Sequence, residues 1–312
     1  MLMKKLRFLV SLIMEENHYQ KQHAAAVQDA AQRLGVDIEI VYAGNDPITQ
    51  TEQLLNGIQS TAKESRPDGI LCAPVGTSLV QVARQAAKMG IGWGLLNREG
   101  DYIGELRASS QAPIFAITID QAEIGRIQGR QIGALLPQGG MVLYLLGPTG
   151  NPLVEQRSTW MQTLKPANVQ VRTLTGDLSQ QSGYKAIARW LQLRTSHETP
   201  VTLIAGQNDD MALGARRAFE DQTIGAQREQ WTSLPYIGVD CCPGAGQDWV
   251  RQGLLAASVI NPPTAGIALE TMVQAIRSKS QPAEVTVVAP TSFPTIEKLT
   301  GATALKTSQM VC

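Results

Sequence analysis

An alternation constrains this chain more than any other feature: short, nearly uninterrupted apolar runs of strand length recur with helical patterns between them. The runs are Leu6–Met14, Ile38–Tyr42, Gly69–Ala73, Trp93–Leu96, Ile114–Ile119, Met141–Leu146, Val169–Leu174, Val201–Ala205, Tyr236–Val239 and Ala256–Ile260. Strands this apolar are covered on both faces, and helices between them imply β-α-β units in a parallel sheet with right-handed crossovers. The helices have readable ends: Gln22–Leu34 stops at Gly35, Ser78–Met89 at Gly90, and Ala122–Leu136 at Pro137 and Gly139-Gly140. Glycine accepts the left-handed cap and proline cannot continue the helix. So many strands exceed a common single sheet. The pattern restarts near Ile114 after a loosely patterned stretch, Glu99–Pro113, which places a domain change there. Asn261-Pro262-Pro263 interrupts it again, as do Pro290 and Pro294, and these read as interdomain crossings. Gly301–Cys312 reads as a loose tail.

Composition removes several classes of function. With 27 Lys+Arg against 27 Asp+Glu, no diffuse basic field exists to attract phosphates, so nucleic acid is not an expected partner. A chain with 43% hydrophobic residues over 312 positions can bury two cores without staples. Its cysteines, Cys72, Cys241, Cys242 and Cys312, include an adjacent pair and make a poor framework for long cross-links. Met1–Met14 imitates a signal peptide, but Arg7 interrupts its apolar run and Glu15-Glu16-Asn17-His18 follows, so a strand is the expectation. No run reaches the roughly 18 apolar residues of a membrane span, so no membrane insertion is expected.

Catalytic and metal motifs fail on inspection. The histidines are His18, His23 and His197, and His197-Glu198 runs into Thr199-Pro200 rather than a second histidine, so no metal ligand set forms. Gly147-Pro148-Thr149-Gly150 lacks the Lys-Ser/Thr of a phosphate loop, and Gly90-Ile91-Gly92-Trp93-Gly94 enters a strand instead of leaving one. No cofactor is implied. What stands out is where polar residues fall. In open parallel sheets ligands bind beyond the carboxyl ends of the strands. There the chain places Asn17, His18 and Tyr19 after the first run, Asn97-Arg98 after Trp93–Leu96, Asn208-Asp209 after Leu203–Ala205, Asp240 after Tyr236–Val239 and Asn261 after Ala256–Ile260. Arg157 lies on the helix after Met141–Leu146. Planar amide, carboxylate and guanidinium groups suit vicinal hydroxyls, and Tyr19 adds an apolar face for a sugar ring. Asn and Asp after strands also serve as turn and helix-cap residues. Asp209 is the expected cap of a helix Asp210–Phe219, leaving the ligand role to Asn208.

These residues carry a resemblance that runs from Leu6 to about Ile296. Asn208-Asp209-Asp210-Met211-Ala212-Leu213-Gly214-Ala215, Ile237-Gly238-Val239-Asp240, Gly253–Val259, Pro263–Gly266 and the helix Ile267–Ile276 occur in the order seen in the ribose- and galactose-type periplasmic sugar-binding proteins, whose fold is similar to lactose-repressor-type effector domains. The resemblance implies the type I periplasmic-binding fold: two doubly wound α/β parallel-sheet domains joined by three hinge crossings. One lobe would span 1–115 with 262–289, the other 116–261 with 290–312. It implies a non-enzymatic receptor that clamps a sugar or polyol between the lobes for the permease of an ATP-binding-cassette importer. The ligand would meet Asn17 and Tyr19 from the first loop, Asn97 and Arg98 from the fourth, Arg157, Asn208, Asp240 and Asn261. Three positions depart from the family pattern: Gln20 stands where a second aromatic is usual, Asn97-Arg98 replaces Asp-Arg, and Asn261 replaces glutamine. Ribose is therefore not the expected ligand. The second reading is a cytoplasmic sugar sensor acting through a partner chain, since the family is mostly extracytoplasmic whereas this chain shows no export signal. An enzyme has no constellation behind it.

Overall fold

The computed structural model describes residues 5–60, 66–76, 79–198 and 200–300. The tail beginning at Gly301, with Cys312, lies outside these, as does Ser78 at the expected start of the third helix. In chain order the elements are β1 (Arg7–Leu12), α1 (His18–Leu34), β2 (Asp37–Tyr42), α2 (Pro47–Gln59), β3 (Gly69–Cys72), α3 (Val80–Lys88), β4 (Gly92–Leu96), α4 (Ile103–Ser109), β5 (Ile114–Ile119), α5 (Gln121–Leu135), β6 (Gly140–Leu146) and α6 (Pro152–Leu164). They continue with β7 (Val169–Thr175), α7 (Gln180–Leu191), α8 (Arg194–Glu198), β8 (Val201–Gly206), α9 (Asp209–Gln222), α10 (Gly225–Ser233), β9 (Tyr236–Asp240), α11 (Gly246–Arg251), β10 (Ala257–Ile260), α12 (Thr264–Ser278), β11 (Val285–Val288) and β12 (Thr291–Phe293).

The chain forms two compact units, Met1–Ile119 with Pro263–Val288 and Asp120–Pro262 with Ala289–Cys312. It passes between them three times. Each unit holds one six-stranded sheet, in the order β11-β5-β4-β3-β1-β2 in the first and β12-β10-β9-β8-β6-β7 in the second. The two orders are the same list repeated: β6 takes the place of β1, β7 of β2, β8 of β3, β9 of β4 and β10 of β5. All pairings in the first sheet are parallel. The expectation of wholly parallel sheets needs one correction, because β12 runs antiparallel to β10 at the edge of the second. β12 is three residues long and follows directly on β11 of the other unit, without a helix of its own to carry it over the second sheet, so it is not held to the crossover that keeps the other strands parallel.

Period-two alternation separates the two faces of each sheet. In β1, Phe8, Val10 and Leu12 point toward α1 and α12, packing with Val27, Ala30, Leu269 and Met272. Leu9 points the other way, toward Leu54, Ile58 and Val82 of α2 and α3. The second unit repeats this, with Leu143 and Leu145 in one core and Val142 and Tyr144 in the other. The edge strands β2 and β7 are only partly covered, so the expectation of two buried faces fails at the sheet margins. The stretch 99–113 is also more ordered than its sequence suggests: it contains α4, which buries Ile103 and Leu106.

Helices α5 and α6 pack so closely that α5 carries glycine at the contact. A Cβ at Gly125 would collide with the backbone carbonyl of Arg157, and one at Gly129 would lie 2.8 Å from Leu164 Cβ. Gly125→Ala should therefore cost about 1–3 kcal/mol by overpacking, despite alanine's better helix propensity. The comparison is Gly133→Ala, whose nearest neighbour is Pro166 Cγ at 3.3 Å and which should change stability by less than about 1 kcal/mol. Urea unfolding of both variants checks this, and equal midpoints would show that α6 gives way freely.

Candidate functional site

All strands of a parallel sheet end on one side, and the polar residues singled out from sequence lie at or just beyond those ends. In the first unit, α1 begins earlier than its pattern implied. Asn17 is its N-cap, with Oδ1 accepting from the backbone N–H groups of Tyr19 (2.9 Å) and Gln20 (3.2 Å). Tyr19 therefore stands in the first helical turn rather than in a loop. Gln20, at the position of a second aromatic, turns back so that its Oε1 accepts from the Ile13 N–H (3.1 Å) and closes the turn between β1 and α1.

Asn97, at the end of β4, is the hub of this unit. Its backbone is left-handed (φ 65°), and its Oδ1 accepts from Thr264 Oγ1 (2.9 Å) and Tyr19 Oη (3.3 Å). With the oxygen so occupied, Nδ2 faces His23 Nε2 at 3.4 Å. His23 is fully buried, and burial lowers its pKa from 6.5 to about 3, so the ring is neutral. Nε2 thus accepts from Asn97, which assigns the ring proton to Nδ1, a buried atom without a partner. Tyr19 packs edge-on against the same ring at 4.6 Å. Arg98 is half-buried, and its Nη1 donates to the Gly76 carbonyl beyond β3 (2.6 Å).

The second unit repeats the plan with different chemistry. Arg157, only 9% exposed, donates from Nε to Gln121 Oε1 (2.7 Å) and from Nη1 to the Gln207 carbonyl beyond β8 (3.0 Å). Asp240 ends β9 as Asn97 ends β4, and it too has a left-handed backbone (φ 100°). Its Oδ1 accepts from Asn261 Nδ2 (3.1 Å), while Asn261 Oδ1 is buried and unpartnered.

The cap expected at Asp209 falls instead to Asn208. Asn208 is the cap of α9, its Oδ1 accepting from the Met211 N–H (2.9 Å) and its Nδ2 donating to the Leu178 carbonyl (2.7 Å). These two bonds tie the loop after β7 to the start of α9. Asp209 starts the helix and is buried, accepting from the Cys241 N–H (2.7 Å) and Ser258 Oγ (2.6 Å). Added Cβ atoms at Gly238 and Gly246 would overlap its carboxyl oxygens, so both glycines are needed for its fit. The Cys241 bond holds the strained Asp240–Cys241 turn, in which Cys241 also has a positive φ (49°).

Sequence reasoning missed Gln121, Gln207, His23, Thr264 and the buried role of Asp209. Gly238 inside a strand was the one available signal, since a strand glycine marks close approach by another group. Among the described thiols, burial pushes Cys72 and Cys241 up to about 12 and raises Cys242 further. Among the described residues no group of three or more His, Cys, Asp or Glu could hold a metal ion, and no helix is long and apolar enough to cross a membrane.

Two repeated α/β sheets with polar side chains beyond their carboxyl ends, linked by three chain crossings, define the type I class of binding fold. The model of the periplasmic binding protein domain matches residues 8–280, and the chain belongs to that family. The ribose import binding protein of Salmonella typhimurium strain LT2 is 27% identical over 181 residues, covering 53% of this chain and 58% of that protein. The chain thus aligns with less than two thirds of that relative's length. Among solved structures, an ABC transporter periplasmic solute-binding protein from Actinobacillus succinogenes with bound D-allose has a TM-score of 0.77 at 18% identity, over 92% of this chain and 97% of that one. The periplasmic component of the arabinose ABC transporter from Shewanella sp. ANA-3, bound to L-arabinofuranose, gives 0.76 at 18% identity over 97% of each chain. These structures share the fold.

Burial, reinforced by the Asp240 charge, raises the Asp209 carboxyl well above its ordinary value, against the hydrogen bonds from Ser258 and Cys241. An acid with a raised folded pKa contributes stability that is full below the unfolded value of about 3.9 and is lost as pH rises toward the folded value. Between about pH 5 and about pH 8, the melting temperature of the parent protein should fall more steeply than that of Asp209→Asn. Parallel curves would mean that Asp209 ionises in the fold.

Proposed function

We propose that this chain is a non-enzymatic solute receptor that binds a sugar or sugar-like polyol in the cleft between its two units, as the substrate-binding component of an ATP-binding-cassette importer. The observation that carries the reading is the repetition: each unit sets an arginine against a carbonyl beyond its third strand and a planar polar side chain, on a left-handed backbone, at the end of its fourth. Sugars supply what such groups bind, hydroxyls that both donate and accept. The ligand-facing set comprises Tyr19, Asn97, Arg98, Arg157, Asp240 and Asn261, with the unpartnered Asn261 oxygen ready to accept from a hydroxyl. Asn17 and Asn208 act as caps that place their neighbours. The relatives' own ligands, ribose by name and allose and arabinofuranose in solved complexes, support a small carbohydrate.

The mechanism is a population shift: contacts that the ligand makes with both units favour the closed form by their differential affinity. A sugar with one inverted hydroxyl leaves a buried group unpaired, at about 1–3 kcal/mol, which gives the receptor its selectivity.

Thermal-shift screening of the purified protein against pentoses, hexoses, sugar alcohols and their acidic derivatives tests the reading, because a hundredfold excess over Kd adds about 2.7 kcal/mol of stability. With the hit in hand, Arg157→Ala and Asp240→Ala should each weaken binding about tenfold or more by calorimetry. Unchanged affinity in both variants would remove these residues from the site.

A further inference from the structure

We propose that the polyol carries an acidic group, a carboxylate or a phosphate ester, and that this group is received by Asn97 and Arg98. The inference rests on the polyol reading and narrows its substrate class. At the end of the fourth strand the units differ by one atom type: Asp240 presents a carboxylate and Asn97 an amide. The amide is not free to turn. Its oxygen is taken by Thr264 Oγ1 (2.9 Å) and Tyr19 Oη (3.3 Å), and neutral His23 accepts from its nitrogen at 3.4 Å. One Nδ2 hydrogen goes to His23, leaving the other as the group Asn97 can offer. That corner of the first unit therefore presents donors, the amide N–H and the Arg98 guanidinium.

The guanidinium lacks a counter-charge. Among the described residues no carboxylate lies within ion-pair distance of Arg98, whose one protein bond is to the neutral Gly76 carbonyl. Burial lowers its pKa, and the groups acting against that are Tyr102 and Cys72, neither of them an acid that ionises near neutrality. Glu99 and Asp101, its acidic neighbours in sequence, are exposed. Arg157 shows the same pattern within the second unit: a buried guanidinium bonded to two neutral oxygens, Gln121 Oε1 and the Gln207 carbonyl. A partly desolvated cation without an anion is costly, and an acidic ligand removes the cost while accepting from donors already aimed. Neutral hydroxyls accept from the same donors but bring no charge.

Calorimetry on the full chain with matched probes decides it: ribose against ribonate and ribose phosphate, galactose against galacturonate, and myo-inositol against its monophosphate. The expected result is that one acidic member binds at least about tenfold tighter than its neutral partner, with the carboxylate and phosphate arms identifying the group. Asn97→Asp, which fits the same left-handed backbone and sets a neutralising carboxylate beside the guanidinium, should reduce that preference about tenfold, and Arg98→Met should do the same. If a variant fails to fold, the matched probes on the parent chain still decide. Neutral members binding as tightly as acidic ones in every pair would overturn the acidic ligand and leave the polyol receptor standing. Silence from every probe would overturn both.

Discussion

Two parallel strands cannot be joined by a tight turn. Each connection must climb back over the sheet, and the right-handed crossover then brings every strand out at the same end. Nearly all the chemistry of this molecule follows from that constraint. The order β2-β1-β3 places a switch point between β1 and β3, and β7-β6-β8 places the matching one between β6 and β8, where successive loops diverge and leave a crevice. Both arginines work at these points: Arg98 bonds the carbonyl of Gly76 after β3, and Arg157 that of Gln207 after β8. The fold repeats itself and carries its polar groups with it.

Holding such groups at a sheet end needs buried polar atoms behind them. In the second unit Asp209 fills that role, its carboxyl seated where Gly238 and Gly246 lack side chains and bonded to the Cys241 N–H and the Ser258 hydroxyl. A shorter or apolar side chain would leave the Cys241 N–H buried and unpaired beside a backbone already on the wrong side of φ for Asp240. The strain at Asp240, of order 1–3 kcal/mol, persists because its neighbours over-determine it. Gln128 and Gln131 do related work deeper in the sheet, Gln128 donating to the Gly206 carbonyl and Gln131 to that of Ser258. Polar residues buried in this way rigidify the ends of β8 and β10 without adding charge.

How much of this could be read from the sequence follows the physics of each element. The first ten strands were legible, all but the edge strands β2 and β7 because strands covered on two faces must be continuously apolar, as Ile114–Ile119 is. β11 was not, since at the sheet edge its Val287 is 55% exposed and Val285–Val288 carries too little pattern. α4 hid because Gly100 just before it and Gly104 in its first turn lower helix propensity in a stretch that packing nevertheless orders. The positions of the site residues were legible as strand ends, but the work each does was not. Asn208 and Asp209 are adjacent and both can cap a helix, so a single-residue difference in where α9 begins decided which became the cap and which went into the core. His23 had no signal at all, because its partner Asn97 is distant in sequence and meets it only through the pairing of β1, β3 and β4.

The Asn97 amide shows why that gap has functional weight. An amide and a carboxylate have the same shape, and either could close β4 on a left-handed backbone. What separates them is whether the surroundings supply hydrogens or lone pairs. Around Asn97 two hydroxyls donate to the oxygen and a neutral imidazole receives from the nitrogen, so the surroundings distinguish the two ends of the side chain. A carboxylate there would bring a second oxygen against the His23 lone pair and force the ring proton to move to Nε2, stranding the lone pair of Nδ1 in the core instead of its N–H. The polarity of this corner is therefore set by the groups that hold Asn97, the Thr264 and Tyr19 hydroxyls and the His23 ring. The amide at Asn97 and the tautomer of the buried histidine it faces are thus fixed together.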